Sequence, residues 1–128
     1  MGRNLHPSIP SYLEDALEKH TKVSSWQRID HPKNDNEFIY LIKRNSGLSE
    51  LIVHATDEYA YSLTDYFQRP AQVLQLAFIL IARPEADYDL SVVDIAKEDK
   101  NGIGKFGALM GALYKKDPWD YVPRERKE

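Results

Sequence analysis

The chain contains no cysteine. Disulfides, thiolate nucleophiles and thiolate metal sites are therefore excluded, and a reducing compartment, the cytoplasm, is the expected location. Long apolar runs are missing too. The nearly continuous run Val73–Ala82 covers ten residues, whereas a membrane helix needs about twenty. The first ten residues, Met1–Pro10, hold no apolar core, so neither a secretory signal nor a membrane partner is expected. His6, His20, His31 and His54 are scattered, with no two four residues apart, and no metal site follows from them. No serine stands in a nucleophile motif with a histidine partner, so hydrolytic catalysis has no sequence support.

With 128 residues and 29% charged side chains, the chain is long enough for one cored domain and is not expected to be disordered. The net charge of −3 is unevenly spread. Residues 1–96 carry nine Lys/Arg and fourteen Asp/Glu, whereas residues 97–128 carry eight and six. A mildly basic end on an acidic body points to an anionic partner at that end, or to an ordinary solvated surface.

Residues 1–10 read as an arm. Ser11 and Glu14 form a capping box for a helix over 12–22, with Leu13, Ala16 and Leu17 on one side. A short strand is expected around Trp26 and a loop over 31–36. Strands over 37–44 and 48–55, joined by Asn45-Ser46-Gly47, form a hairpin. A helix over 58–68 carries Tyr59, Leu63 and Phe67 at four-residue steps.

The run after Pro70 organises the rest. Its Leu, Ala and Gln content, a proline that fits a first turn, and a polar stripe of Gln72, Gln75 and Arg83 predict a helix over 71–83 ended by Pro84. A strand over 76–82 is the other reading, because periodicity cannot separate short buried runs. Leu76, Phe78, Leu80, Phe106 and Leu109 are the expected core. Ser91 and Asp94 open a helix to about Asp99, Asn101-Gly102 stops it, and a last helix covers 103–116. Residues 119–122 suggest a short strand, followed by a charged tail.

Val93-Asp94-Ile95-Ala96-Lys97, followed by Ile103, Phe106 and Leu109 at three-residue steps, resembles a helix-turn-helix. With the preceding helix, residues 71–122 resemble the winged helix-turn-helix domains of bacterial regulators and of phage and plasmid replication initiators. Three features depart from that pattern: Asp99 and Lys100 occupy the turn, the wing is a stub, and the candidate recognition helix offers Lys105 beside Gly104, Gly107, Ala108 and Gly111, where base readout wants Arg, Asn, Gln or Lys. The resemblance implies an α+β protein in three parts. Residues 1–69 hold the N-terminal helix and β-hairpin, residues 70–122 a trihelical winged-helix-like unit, and residues 123–128 the tail. It implies a non-enzymatic, cofactor-free regulatory or replication-associated protein that binds double-stranded DNA. Lys105 and its neighbour Asn101 would enter the groove. Lys97, Lys100, Lys115, Lys116, Arg124 and Arg126 would hold phosphates.

Two other functions are open. The glycine-rich helix or an exposed hairpin edge would suit a protein–protein or oligomerisation module, and a homodimer is expected on those grounds. Glu98-Asp99-Lys100 with Asp89 upstream also carries the acid–lysine part of a metal-dependent nuclease pattern. Gly102-Ile103-Gly104-Lys105-Phe106-Gly107 matches G-x-G-x-x-G. The reading of helix before it and the shortage of chain after it argue against a dinucleotide site. The small residues instead offer a surface for close backbone approach.

Overall fold

The computed structural model describes residues 8–29, 37–83 and 85–121. The run after Pro70 is not a helix. Residues 71–73 make one 3-10 turn, Leu76 takes a left-handed conformation (φ 58°), and Ala77–Ile81 then runs as a strand. All five of those strand residues are buried. A strand covered on both faces has no side left to be polar, which is why it reads as a continuous apolar run.

The elements in order are α1 (Ser8–Lys19), β1 (Val23–Ile29), β2 (Phe38–Arg44), β3 (Leu51–Thr56), β4 (Ala60–Tyr61), α2 (Leu63–Phe67), β5 (Ala77–Ile81), β6 (Asp87–Tyr88), α3 (Leu90–Glu98), β7 (Asn101–Gly104) and α4 (Phe106–Ala112). Five strands form one mixed sheet in the order β1-β2-β3-β5-β7. The first three pair antiparallel, and β3, β5 and β7 pair parallel. The expected hairpin is present: Phe38 pairs with Ala55 and Ile42 with Leu51. Ser46 and Gly47 at its turn both have positive φ. The small strands β4 and β6 pair with each other outside the main sheet. Because β3 pairs with β5, strands from residues 1–69 and 70–122 belong to one sheet.

Two cores flank this sheet. Leu13, Leu17, Tyr40, Val53, Leu80 and Leu109 pack together on the side of α1 and α4. Ile39, Tyr66, Ile79, Val92, Ala96 and Ile103 pack together on the side of α2 and α3. Of the expected core, Phe78, Leu80 and Leu109 are buried and Phe106 is half-buried, but Leu76 is exposed.

The chain is α+β, but it lacks the trihelical, winged-helix-like half. Residues 101–104 form strand β7, not the start of a helix, and they separate α3 from α4. Ala96 of α3 and Leu109 of α4 lie in different cores, on opposite faces of the sheet. They cannot meet as the two arms of a helix-turn-helix. The sequence signal that misleads is Asn101-Gly102, which reads as a helix stop but here enters a buried strand. Gly102 is needed there because a Cβ would stand 2.7 Å from the Phe78 ring. Pro118–Asp120 makes a 3-10 turn in place of the expected wing strand. Residues 122–128, with the tail, Arg124 and Arg126, lie outside the described residues, as do most of the N-terminal arm and the 31–36 loop.

Both grounds for the expected dimer also change. β2 and β3 are interior strands with partners on each side, so the hairpin exposes no edge. On the glycine face, a Cβ at Gly111 would overlap the ring and hydroxyl of Tyr121, so that space is filled from within the chain. Gly107 faces open space. We expect Gly111→Ala to lower stability by about 1–3 kcal/mol through overpacking. Gly107→Ala should raise it by about 0.5–1 kcal/mol through helix propensity. Urea unfolding of the two variants checks the opposite signs.

Candidate functional site

Strands β1, β3, β5 and β7 all begin on one rim of the sheet, where β2 ends. Strand spacing makes this rim about 19 Å wide. Lys22 precedes β1, Arg44 closes β2, Lys100 precedes β7, and Lys115 and Lys116 follow α4.

Arg44 knits the α1–α4 corner of this rim. Its side chain is buried. Nε donates to the Ser49 carbonyl at 2.7 Å, and Nη2 to Ser49 Oγ at 3.2 Å. Nη1 donates to the carbonyls of Leu113 at 3.1 Å and Lys115 at 2.6 Å. The guanidinium therefore caps the end of α4, where unpaired carbonyls and the helix dipole favour a cation. Burial pushes its pKa below the ordinary arginine value. No carboxylate among the described residues pairs with it.

His20 fixes the other side of the corner. Its Nδ1 accepts the Lys22 backbone N–H at 3.1 Å, so in the neutral ring Nε2 carries the proton and donates to the Met110 carbonyl at 3.1 Å. The ring lies 4.6 Å from that of Tyr114, which is 54% exposed. The backbone of Asn45 donates to the Lys22 carbonyl at 3.0 Å, which ties the start of β1 to the end of β2. Lys22, Lys115 and Lys116 thus belong to the segments tied together at this corner, and none of them has an ion-pair partner among the described residues. Glu50, next to Ser49, and Asp117, next to Lys116, add carboxylates to the same rim, and Glu98 lies further along it.

The residues expected to bind nucleic acid separate into groups. Lys115 and Lys116 are exposed at the corner, and Lys100 is exposed further along the same rim in a left-handed turn (φ 61°). Lys97 pairs with Asp120 at 3.5 Å. Asn101 is 1% exposed. Its amide accepts from the Ala77 N–H at 3.1 Å and donates to the Leu74 carbonyl and Tyr66 hydroxyl, each at 3.0 Å. Those bonds fix the entry to β5 and β7, and no donor reaches outward to read a base. Lys105 lies on the opposite rim, where β7 ends. The expectation missed Tyr114, the residue just before Lys115, and also Lys22, His20 and Arg44, which lie far from Lys115 in sequence and come near it only through the fold.

The nuclease set is not assembled. Asp89 and Glu98 stand at opposite ends of α3, a nine-residue helix about 13 Å long. The glycine motif overlaps two elements, with Gly102 and Gly104 inside β7 and Gly107 inside α4, and helix α3 stands before it. Gly102 serves the packing of Phe78, and no strand follows α4 among the described residues to complete a dinucleotide-binding unit. No group of three metal-ligating side chains occurs among the described residues. No described helix is long and apolar enough to cross a membrane.

The rim where β3 and β5 end carries a buried polar network. Glu37 Oε1 meets His54 Nε2 at 2.9 Å, while Oε2 accepts from Thr56 Oγ1 at 2.9 Å and the Asp57 N–H at 2.6 Å. Asp57 in turn accepts from Arg83 Nε at 2.8 Å, and the Arg83 guanidinium stacks over Tyr59 at 4.8 Å. Burial alone would raise the Glu37 carboxyl pKa. The bonds from His54, Asp57 and Thr56 and the His54 charge outweigh it, leaving the carboxyl below its ordinary value. The network joins β2, β3 and the end of β5, and it is walled in rather than open to a ligand.

Family models, curated proteins and solved structures were all compared with the chain, and none matches it.

A carboxylate with a lowered folded pKa stabilises the fold above its unfolded value, and that contribution is lost as pH falls through the folded one. Glu37→Gln should therefore cost about 3–5 kcal/mol at pH 7, the usual range for breaking a buried pair. The gap between wild type and variant should narrow below pH 4.5, the ordinary value for this group. Urea unfolding across pH 3–7 measures it; a gap independent of pH would mean that the Glu37 charge is not what holds these strands.

Proposed function

We propose that the chain is a cytoplasmic, non-enzymatic protein that binds nucleic acid, gripping the phosphate backbone of DNA at the α1–α4 corner. The observation that carries this reading is that Arg44, with no carboxylate partner among the described residues, ties the backbone of Lys115 to the end of β2, where Asn45 also holds the Lys22 carbonyl. Phosphates can supply counter-ions to these cations at little reorganisation cost, because the backbone beneath the lysines is already pinned by Arg44 and His20. No helix enters a groove in this arrangement. It positions a phosphate backbone without base readout, so affinity should depend little on sequence.

Three phosphate contacts give a slope of log K against log salt of roughly −3. Lys115→Glu with Lys116→Glu should abolish retention of a fluorescent duplex while leaving thermal stability nearly unchanged, because exposed lysines contribute little to folding. Lys105→Glu, on the opposite rim, should change affinity by less than about two-fold, since a single distant surface charge is largely screened. Fluorescence anisotropy at two salt concentrations measures all three proteins. If wild-type protein fails to hold duplex or single-stranded DNA at low salt, the reading is wrong and the corner is a protein-contact or purely structural surface. If the Lys105 reversal acts as strongly as the double reversal, binding is not at this corner.

A further inference from the structure

We infer that the corner takes single-stranded nucleic acid in preference to duplex, with a base stacked on the Tyr114 ring; this rests on the phosphate-binding reading above. Tyr114 is a large aromatic side chain left 54% exposed, with two lysines directly after it in the chain. His20 lies beside its ring at a centroid distance of 4.6 Å and an interplanar angle of 46°, so the tyrosine is braced from the protein side. Both His20 nitrogens are tied to backbone, to the Lys22 N–H and the Met110 carbonyl, so the brace is itself fixed. Lys115 and Lys116 follow the ring directly in the chain, and Lys22 is joined to it through His20. An aromatic platform flanked by ammonium groups can stack an unpaired base and hold the phosphates on either side of it. A duplex keeps its base faces inside the helical stack, so it could use only the lysines.

The chemistry also sets the breadth of recognition. Every base has a π-face, so the platform should accept any sequence, with modest preferences that follow stacking strength. The lysines supply the salt dependence, and the ring supplies the discrimination between single and double strands.

Three probes test this with the full chain: a fluorescent twelve-residue oligothymidylate, a duplex of the same length, and inorganic polyphosphate as a base-free polyanion. The oligothymidylate should bind more tightly than the duplex despite its lower charge density. Tyr114→Ala should weaken oligothymidylate binding about tenfold, within the range found for loss of one stacked base. The same change should leave duplex and polyphosphate binding unaltered, and Tyr114→Phe should keep the single-strand preference. Photo-crosslinking with 5-iodouracil in the oligonucleotide should attach to Tyr114, located by mass spectrometry. If Tyr114→Ala binds oligothymidylate as the wild type does, or the duplex binds equally well or better, the stacking inference is overturned while phosphate binding at the corner stands. If none of the three polyanions binds, phosphate binding itself fails and the stacking inference with it.

Discussion

Everything in this fold follows from keeping Ala77–Ile81 dry on both faces. The strand lies between β3 and β7 and pairs parallel with each, so its backbone groups are satisfied within the sheet. Its side chains alternate between two cores, Phe78 and Leu80 into one, Ile79 and Ile81 into the other. Neither core can be left out, because an uncovered face would present a row of large aliphatic groups to water at about 25 cal/mol per Å². The rest of the chain supplies the two covers. α1 and α4 close one side, and α2, α3 and the small β4–β6 pair close the other.

That demand explains which parts of the architecture were readable. The hairpin over 37–55 was, because it combines β-branched and aromatic strands with a turn sequence whose residues do adopt positive φ. The first helix and α3 were readable in outline because each keeps a polar side, although α1 starts at Ser8 and α3 at Leu90, before the capping residues expected for them. β5 was not, since removing the polar side removes the periodicity that separates helix from strand. The turn into it was hidden as well. Leu76 and Lys100 adopt left-handed backbone conformations without being glycine, and the Leu76 N–H donates to the Lys100 carbonyl at 2.9 Å, so each holds the other in place. Such conformations cost of order 1 kcal/mol each and are imposed by the tertiary structure, not announced by residue type. Once β5 is taken for a helix, β7 becomes a helix stop and α3 and α4 become adjacent, and the helix-turn-helix follows from that single error.

The candidate corner was half legible for a related reason. Lys115 and Lys116 stand out because they are two adjacent lysines at the end of the expected last helix, and clusters of charge are visible along a chain. Their partners are not. Lys22 and Arg44 come from segments far from them in sequence, brought near by the way α1 and α4 lie on the sheet, and Tyr114, although it directly precedes Lys115, is marked only by its contact with His20. Asn101 shows the converse. Its residue type suits base readout, yet its amide is consumed in joining β5, β7 and Tyr66. Composition could identify donors, but only the fold decides which donors still face water.

The two rims of the sheet treat buried charge in opposite ways, and this difference bears on function. At the rim where β3 and β5 end, Glu37 and Asp57 face His54 and Arg83, and the charges are matched within the protein. At the rim where those strands begin, Arg44 is equally buried but is held by carbonyl dipoles and a serine hydroxyl. Carbonyls stabilise a guanidinium without cancelling its net charge, whereas a carboxylate at Ser49 would do both. A carboxylate there would form a charge-assisted pair of the stronger kind. The arrangement in place forgoes that pairing and keeps a fixed positive charge beneath Lys115, in surroundings where screening by salt is weak. The charge of Arg44 is therefore built into the core of the fold, and Lys115 and Lys116 lie exposed just beyond the helix it caps.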